Sequence, residues 1–147
     1  MMLPWKFKQK EDTEESVFVR KKEGRIMQLN GINFKEKFSL FNEYWSPKCI
    51  ARFDDYLVKV AKIKGHFTWH THPECDEIFI VHKGKMRIDF KGRAVELNEG
   101  EMSVVQKGME HKPFSEDGCE IILLERSDVI NTGDQKNEFT KAEIEWI

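Results

Sequence analysis

Three histidines and one glutamate in this chain have the residue types and spacing of a metal site. His70 and His72 are separated by one residue, Glu77 follows after four more, and His111 lies well downstream. Side chains alternate along a β-strand, so the histidine pair shares one face of an extended segment, about 7 Å apart at the backbone. A helix would turn the two side chains about 200° apart. The pattern therefore predicts a strand whose imidazoles, with the carboxylate, bind one divalent metal.

Several neighbouring polar residues stay open as members of this site. Asp76 takes the place of Glu77 as a ligand if the turn before it is one residue longer. His66 has the strand parity of the histidine pair and could line the same cavity, although a place at the end of the sheet is simpler. Cys75 could supply a thiolate, but a half-buried turn residue is the simpler interpretation. His82 has the opposite parity and is predicted to lie outside the site.

The donor set indicates which metals and which chemistry such a site would support. Imidazole and carboxylate ligands suit Mn, Fe, Co, Ni, Cu or Zn and do not select among them. Four ligands on an octahedral ion leave two positions for a small molecule, and the ion would polarise that molecule or activate bound water or oxygen. An acid–base group would have to come from the cavity wall, where His66, Glu110 and Cys75 are the candidates.

The segments that must position these residues are short and separated by glycine-bearing turns. Alternating or apolar runs predict strands at 57–63, 67–72, 77–82, 86–90, 94–97, 102–105 and 121–124. Gly65 is predicted to end the first strand, and turns are predicted at 83–85, 91–93 and 98–101. This spacing is typical of an all-β sandwich or barrel with little helix. The capping-box order of residues 33–36 predicts a helical turn near 34–40.

The chain divides into two regions by composition. Residues 6–15 are polar and charged, and residues 1–30 are predicted to be an N-terminal extension, either an arm or a strand hairpin formed by 17–20 and 26–29. Residues 31–147 carry the strand pattern and form the predicted barrel domain. A total of 147 residues suits one domain with a sizeable core.

Apolar residues occupy both faces of the strands around the histidine pair. Phe67, Trp69, Ile78 and Ile80 are predicted to face away from the site. A second layer must therefore cover that outer face. The N-terminal strands or a second subunit could provide it, and we expect a homodimer.

Charge and cysteine content exclude several classes of protein. The net charge is −2 and no basic stripe is present, so no nucleic-acid partner is predicted. No run of about 18 apolar residues is present, so no membrane span is predicted. The three cysteines have unrelated spacings, which argues against a disulfide framework and for a reducing, cytoplasmic location.

Two segments resemble the sequence motifs of the cupin superfamily. Residues 65–84 are similar to the first motif, with glycines at both ends around the His-x-His pair and Glu77, although Gly65 is one residue closer than usual. Residues 100–115 are similar to the second motif, which ends beyond His111. In that motif Gln106 replaces the usual proline and Ser115 stands where asparagine is common. The resemblance covers roughly residues 31–147 and is closest to small single-domain bacterial cupins of the conserved-barrel or mannose-6-phosphate-isomerase-like kind.

This resemblance implies a fold, a ligand set and a range of functions. The fold would be a double-stranded β-helix, or jelly roll, usually dimeric, with His70, His72, Glu77 and His111 as metal ligands. Such proteins include dioxygenases, isomerases and lyases, so the fold does not choose a reaction. We expect a metal-binding protein that acts on a small molecule inside the barrel. The alternative is a non-catalytic module that binds a sugar or a small acid.

Overall fold

One long strand, His111–Arg126, lies at the centre of the sheet that builds the domain. The computed structural model describes residues 31–147. Its elements are α1 (Phe34–Ser39), β1 (Lys48–Phe53), β2 (Tyr56–His66), β3 (Glu77–Phe90), β4 (Arg93–Asn98), β5 (Met102–Val105), β6 (His111–Arg126) and β7 (Glu145–Trp146). The strand order is β4-β3-β6-β2-β1-β7, and β5 pairs with β3 beside β4. The architecture is therefore all-β with one short helix, as predicted, and it is that of a jelly-roll barrel. The hairpin predicted within residues 1–30 lies outside the described residues.

Two long strands are continuous where the sequence pattern predicted breaks. β3 runs through residues 83–85, which were expected to form a turn, and β2 runs through Gly65. Both strands contain register shifts at these places. A β-bulge bends a strand without ending it, and a closed barrel needs such bends. The shorter strands β4 and β5 and the turns between them agree with the prediction.

Gly84 is explained by a close approach between strands rather than by a turn. Its φ is +87°, and a Cβ added there would lie 2.7 Å from the carbonyl oxygen of Gly118 on β6. A side chain at this position would force the two backbones apart. The glycine therefore allows β3 and β6 to stay paired through the bulge.

Two apolar clusters lie on opposite faces of the sheet. The inner cluster contains alternate residues of β2, β3 and β6, among them Ile63, Phe79 and Ile121. The outer cluster joins Phe38 of α1 to Ile122 of β6, with Ile147 packed against it. The second layer expected on the outer face is thus supplied in part by α1 and the C-terminus.

Helix α1 starts where the capping pattern predicted. The Asn33 side chain accepts a hydrogen bond from the backbone N–H of Glu36, as an N-cap does. The helix buries Phe38 against the sheet, and the His82 ring stacks on that phenylalanine at 5.1 Å. No helix within residues 31–147 is both long enough and apolar enough to cross a bilayer.

Candidate metal centre

The four residues singled out by spacing converge inside the barrel. His70, His72, Glu77 and His111 each offer a ligand atom, and these atoms lie within 4.8 Å of one another. All four side chains are at most 5% exposed. A buried group of three imidazoles and one carboxylate is compatible with a divalent metal site.

The histidine pair lies on a segment that runs beside the start of β6 with few backbone contacts. The Phe67 N–H donates to the Pro113 carbonyl at 2.9 Å. His70 and His111 exchange two backbone hydrogen bonds of 3.0 Å, and the Gly108 N–H donates to the carbonyl of His72. The regular strand predicted over 67–72 is therefore wrong, since only this one bridge forms. The shared orientation of the pair is nevertheless present, with ring centroids 5.0 Å apart.

The prediction that Phe67 faces away from the site is also wrong. Its ring meets His70 edge to face at 5.3 Å and lines the cavity beside the cluster. Strand alternation does not apply to this irregular segment, so parity placed Phe67 on the wrong side. Trp69 is half-buried, and Lys112 Nζ lies 5.2 Å from its ring centroid.

Backbone carbonyls orient two of the imidazoles. His70 Nδ1 lies 3.0 Å from the carbonyl oxygen of Thr68, and His111 Nδ1 lies 3.0 Å from that of Met109. A carbonyl can only accept, so each Nδ1 carries the proton and each Nε2 keeps its lone pair. Metal-binding histidines are commonly held in this way by a partner on the other ring nitrogen.

The third imidazole has a buried nitrogen that lacks a hydrogen-bond partner. His72 Nε2 makes no hydrogen bond within residues 31–147 and lies 3.5 Å from Glu77 Oε2, without the geometry of one. His111 Nε2 lies closer to the same oxygen, at 3.2 Å. An unsatisfied buried polar atom is costly. A cation between these groups would satisfy it, so the residues present fit a metal.

The electrostatic surroundings favour the metal-binding protonation states of His70 and Glu77. Burial, followed by the nearby His111, lowers the pKa of His70 to about 4, so this imidazole is neutral at pH 7. Burial raises the pKa of Glu77, but the adjacent His111 and His72 imidazoles outweigh it and the pKa is lowered. For His72, burial lowers the pKa and the Glu77 carboxylate more than offsets it, so the pKa is raised. Histidine binds a metal as the neutral imidazole and glutamate binds it as the ionised carboxylate. The negative charge of Glu77 also attracts a cation.

A C-terminal loop holds the histidine pair in place, and strand patterns did not identify it. The Thr71 N–H donates to Asp134 Oδ1 at 2.9 Å, and the Asp134 N–H donates back to the Thr71 carbonyl at 3.1 Å. Gly133 has a φ of +54°, and a Cβ there would lie 2.1 Å from the Thr71 oxygen. Gly133 and Asp134 therefore clamp the backbone between the two histidines.

The alternative ligands of the sequence analysis lie outside the cluster. Asp76 is exposed, and its Oδ1 accepts a hydrogen bond from the Lys107 N–H at 2.8 Å. Cys75 is buried, and its sulfur accepts a hydrogen bond from the Arg126 N–H. Neither side chain belongs to the convergent set of donors. Asp76 thus stabilises the loop before β6 instead of replacing Glu77.

The other candidate acid–base residues have partners elsewhere. His66 is exposed and stacks on Phe114 with ring centroids 4.3 Å apart. Glu110 is paired with Lys91. As predicted, His82 lies outside the site. The titratable group that does line the cavity with His70 and Glu77 is Glu125, which the sequence analysis did not select.

Comparison with known proteins agrees with this architecture. Residues 56–124, which include all four clustered residues, match the family model described as the cupin domain. A cupin-2 domain containing protein from Shewanella frigidimarina is 47% identical, with a TM-score of 0.64, over 65% of this chain and 93% of its own. Protein NMB1881 from Neisseria meningitidis is 37% identical, with a TM-score of 0.62, over 67% of this chain and 100% of its own.

A shorter match links the chain to a curated relative. The protein YdbB from Bacillus subtilis is 34% identical over 82 residues. That match spans 55% of this chain and 66% of YdbB, just under two thirds of the relative. The high coverage of the two solved structures, together with the buried cluster inside the barrel, shows that this chain belongs to the cupin family.

Proposed function

We propose that this protein binds one divalent transition metal through His70, His72, Glu77 and His111, and that it acts on a small molecule held beside the metal. The Nε2 of buried His72 lies next to the Glu77 carboxylate and has no hydrogen-bond partner in the described part of the chain, and this observation carries the proposal. The donor set suits Mn, Fe, Co, Ni, Cu or Zn. When bound, such an ion supplies Lewis-acid chemistry or, if it is redox-active, oxygen chemistry.

The protein's own residues would orient the metal ligands and exclude water. The carbonyls of Thr68 and Met109 hold two imidazoles, and Asp134 holds the backbone between the histidine pair. A cavity of about 30 Å³ adjoins His70 and Glu77. This is space for about two water-sized groups, which favours a small molecule over a long chain.

Metal content and oxygen uptake test the proposed function together. Protein purified without added metal should contain about one equivalent of a transition metal by elemental analysis. Incubation with a panel of small acids, diols and sugars in an oxygen electrode then examines turnover. Iron with substrate-dependent oxygen uptake would support a dioxygenase, and conversion of a substrate without oxygen would support an isomerase or lyase. Full metal occupancy with saturable binding but no conversion would support the alternative, a binding module. Absence of stoichiometric metal would contradict the proposal.

Substitution of Gly133 by alanine should weaken metal binding without touching a ligand. The new Cβ would collide with the Thr71 carbonyl, 2.1 Å away, and would lie 3.3 Å from His72 Nδ1. The histidine pair must then shift. We expect metal affinity to fall by about 10–100-fold, the range seen when the supports of metal ligands are lost. Competition with a chromogenic chelator measures the change.

Gly100→Ala is the matched control for this substitution. Gly100 also has a positive φ, +83°, but an added Cβ there would meet nothing within 4 Å. The control therefore introduces backbone strain without the collision. Equal metal affinities for the two variants would contradict the role of the clamp.

We also propose that the protein is a homodimer that uses the outer face of β3 and β5. Met102 and Val104 on β5 are 53% and 49% exposed and lie opposite Ile80 and Ile78. Directly opposed residues share a face, so the four form one apolar patch. A second copy of the chain could bury it. A light-scattering mass of one chain in dilute solution would contradict the dimer.

Introduction of negative charge into this patch provides the direct check. Met102→Glu combined with Val104→Glu should convert a dimer to a monomer, because charges would then face an apolar surface. Leu40→Glu is the control, since Leu40 is 61% exposed and lies on the C-cap of α1. That variant should keep the mass of the wild type.

We propose a cytoplasmic location for the protein. All three cysteines are free and buried in the structure, which supports a compartment where thiols stay reduced. Fractionation of the source cells with a specific antibody checks this location. Recovery from the culture medium would contradict it.

A further inference from the structure

A buried ion pair lies inside the barrel next to the metal cluster. Lys59 on β2 and Glu125 on β6 face the interior, with 0% and 1% of their surface exposed. Lys59 Nζ lies 2.5 Å from Glu125 Oε1. The strands that carry them are neighbours, and β3, which begins with Glu77, lies on the other side of β6. A charged pair therefore occupies an interior face that is otherwise largely apolar.

The second oxygen of Glu125 is unsatisfied. Oε2 is buried and has no hydrogen-bond partner among residues 31–147. A carboxylate oxygen in this position loses its hydration without compensation, which is costly in a low-dielectric interior. Buried polar atoms in native proteins are nearly always paired. The free oxygen therefore indicates that a hydrogen-bond donor from another molecule belongs there.

Glu125 is the polar group of the cavity that is left for such a molecule. His70 and Glu77, which also line the cavity, are assigned to the metal. Asn131 uses its amide nitrogen on the Phe139 carbonyl and its oxygen on the Lys141 N–H. The rest of the lining is mainly apolar and includes Phe67, Phe79 and Leu123. A molecule in this space could thus form a hydrogen bond with Glu125 and apolar contacts elsewhere.

We propose that Glu125 binds the ligand of the barrel, accepting a hydrogen bond from an O–H or N–H group that lies beside a metal-binding oxygen. This inference rests on the proposed function and adds a substrate class to it. The ligand is a small molecule with an apolar part, an oxygen for the metal and an adjacent hydrogen-bond donor. Lys59 is a positioning residue, because it holds Oε1 and leaves Oε2 for the ligand.

Two probes of similar size separate this role from a purely structural one. Acetohydroxamate offers metal-binding oxygens with an adjacent N–H, whereas acetate offers metal-binding oxygens and no donor. Both are titrated into cobalt-loaded protein, and the visible spectrum of the cobalt reports binding. The variant is Lys59→Met with Glu125→Leu, which removes both charges together, since apolar replacement of a whole buried ion pair is often neutral or stabilising.

The proposal predicts a selective loss in the double variant. Cobalt content should stay at the wild-type level, acetate affinity should change by less than about twofold, and acetohydroxamate affinity should fall about tenfold or more. Glu125→Gln is a second variant in case the double variant does not fold. Its amide oxygen can accept the hydrogen bond from Lys59, and its NH₂ group then faces the ligand as a donor. Two donors cannot form a hydrogen bond with each other, so the same selective loss is expected.

The outcomes distinguish this inference from the proposed function. Wild-type protein that takes up no cobalt would overturn the proposed function and, with it, the role of Glu125. Full cobalt uptake with unchanged acetohydroxamate affinity in the variants would overturn the role of Glu125 alone. An equal loss of affinity for both probes would also overturn it, because the effect would then lie on the metal or the fold rather than on the donor.

Discussion

Replacement of both His70 and His72 by alanine is expected to abolish stoichiometric metal binding. A four-ligand structural zinc site supplies roughly 10–16 kcal/mol of apparent binding free energy, or about 3 kcal/mol per ligand if shared equally. Loss of two ligands would then weaken binding by about four powers of ten. The backbone bridge between His70 and His111 does not depend on either side chain, so the fold should persist. Equilibrium dialysis against the metal measures the loss.

Thermal unfolding provides an independent readout of the same substitution. Metal at about 1,000 times its Kd adds roughly 4 kcal/mol to the stability of the form that binds it. For a chain of this size that is a rise in Tm of roughly 8–16 °C. We expect this rise in the wild type and its disappearance in the double variant. The measurement does not require a known substrate.

His66→Ala with His82→Ala is the matched control. It removes the same two functional groups, but one histidine stacks on Phe114 and the other on Phe38, both outside the cluster. Metal stoichiometry should stay at the wild-type value. Tight binding that survives loss of His70 and His72 would reject the four-residue site.

The sequence predicted the short strands well because their signals are local. In β4 and β5 the side chains alternate over a few residues. The glycine-bearing turns at 91–93 and 98–101 lie directly beside these strands, so each signal is contained in a short segment. The long strands were divided at Gly65 and Gly84, since glycine inside a strand pattern resembles a turn. Gly65 instead lies at a bulge in a continuous strand. Gly84 is required by its close contact with Gly118, which lies 34 residues away along the chain. Spacing within one segment does not contain that information.

The candidate site divides in the same way. The convergence of the four cluster residues was predicted from the spacing of the histidine pair and from the two cupin motifs, each of which is contained in a short segment. Asp134 and Glu125 could not be placed, because their contacts join distant segments. A signal for the ion pair was nevertheless present. Lys59 shares the parity of Ala61 and Ile63, and Glu125 continues the inward parity of Ile121 and Leu123, so each charge stands on an apolar face.

Single substitutions of the buried ion pair are expected to destabilise the protein strongly. Glu125→Leu leaves the Lys59 ammonium buried and unpaired, and Lys59→Met does the same to the Glu125 carboxylate. Removal of one partner from a buried pair costs about 3–5 kcal/mol, which lowers Tm by roughly 6–20 °C here. Denaturant unfolding gives the free energy of unfolding. Single variants within about 1 kcal/mol of the wild type would contradict this prediction.

The exposed pair Lys85–Glu96 supplies the control for these measurements. Its atoms are 3.0 Å apart, but the two side chains are 57% and 60% exposed. Exposed pairs contribute about 0–1 kcal/mol, so Lys85→Met and Glu96→Leu should each have small effects. The comparison separates burial of the charge from the mere loss of an ion pair.

The double variant of Lys59 and Glu125 decides what the pair is for. If both charges are replaced together, neither is left unpaired, and the free energy of unfolding should return to within about 1–2 kcal/mol of the wild type or exceed it. The barrel would then be stable without the pair, so stability would not account for two charges in its interior. The free Oε2 beside the metal cluster would account for them, because it offers a ligand the hydrogen-bond acceptor that the apolar wall lacks. A double variant as unstable as the single ones would instead assign the pair a structural role.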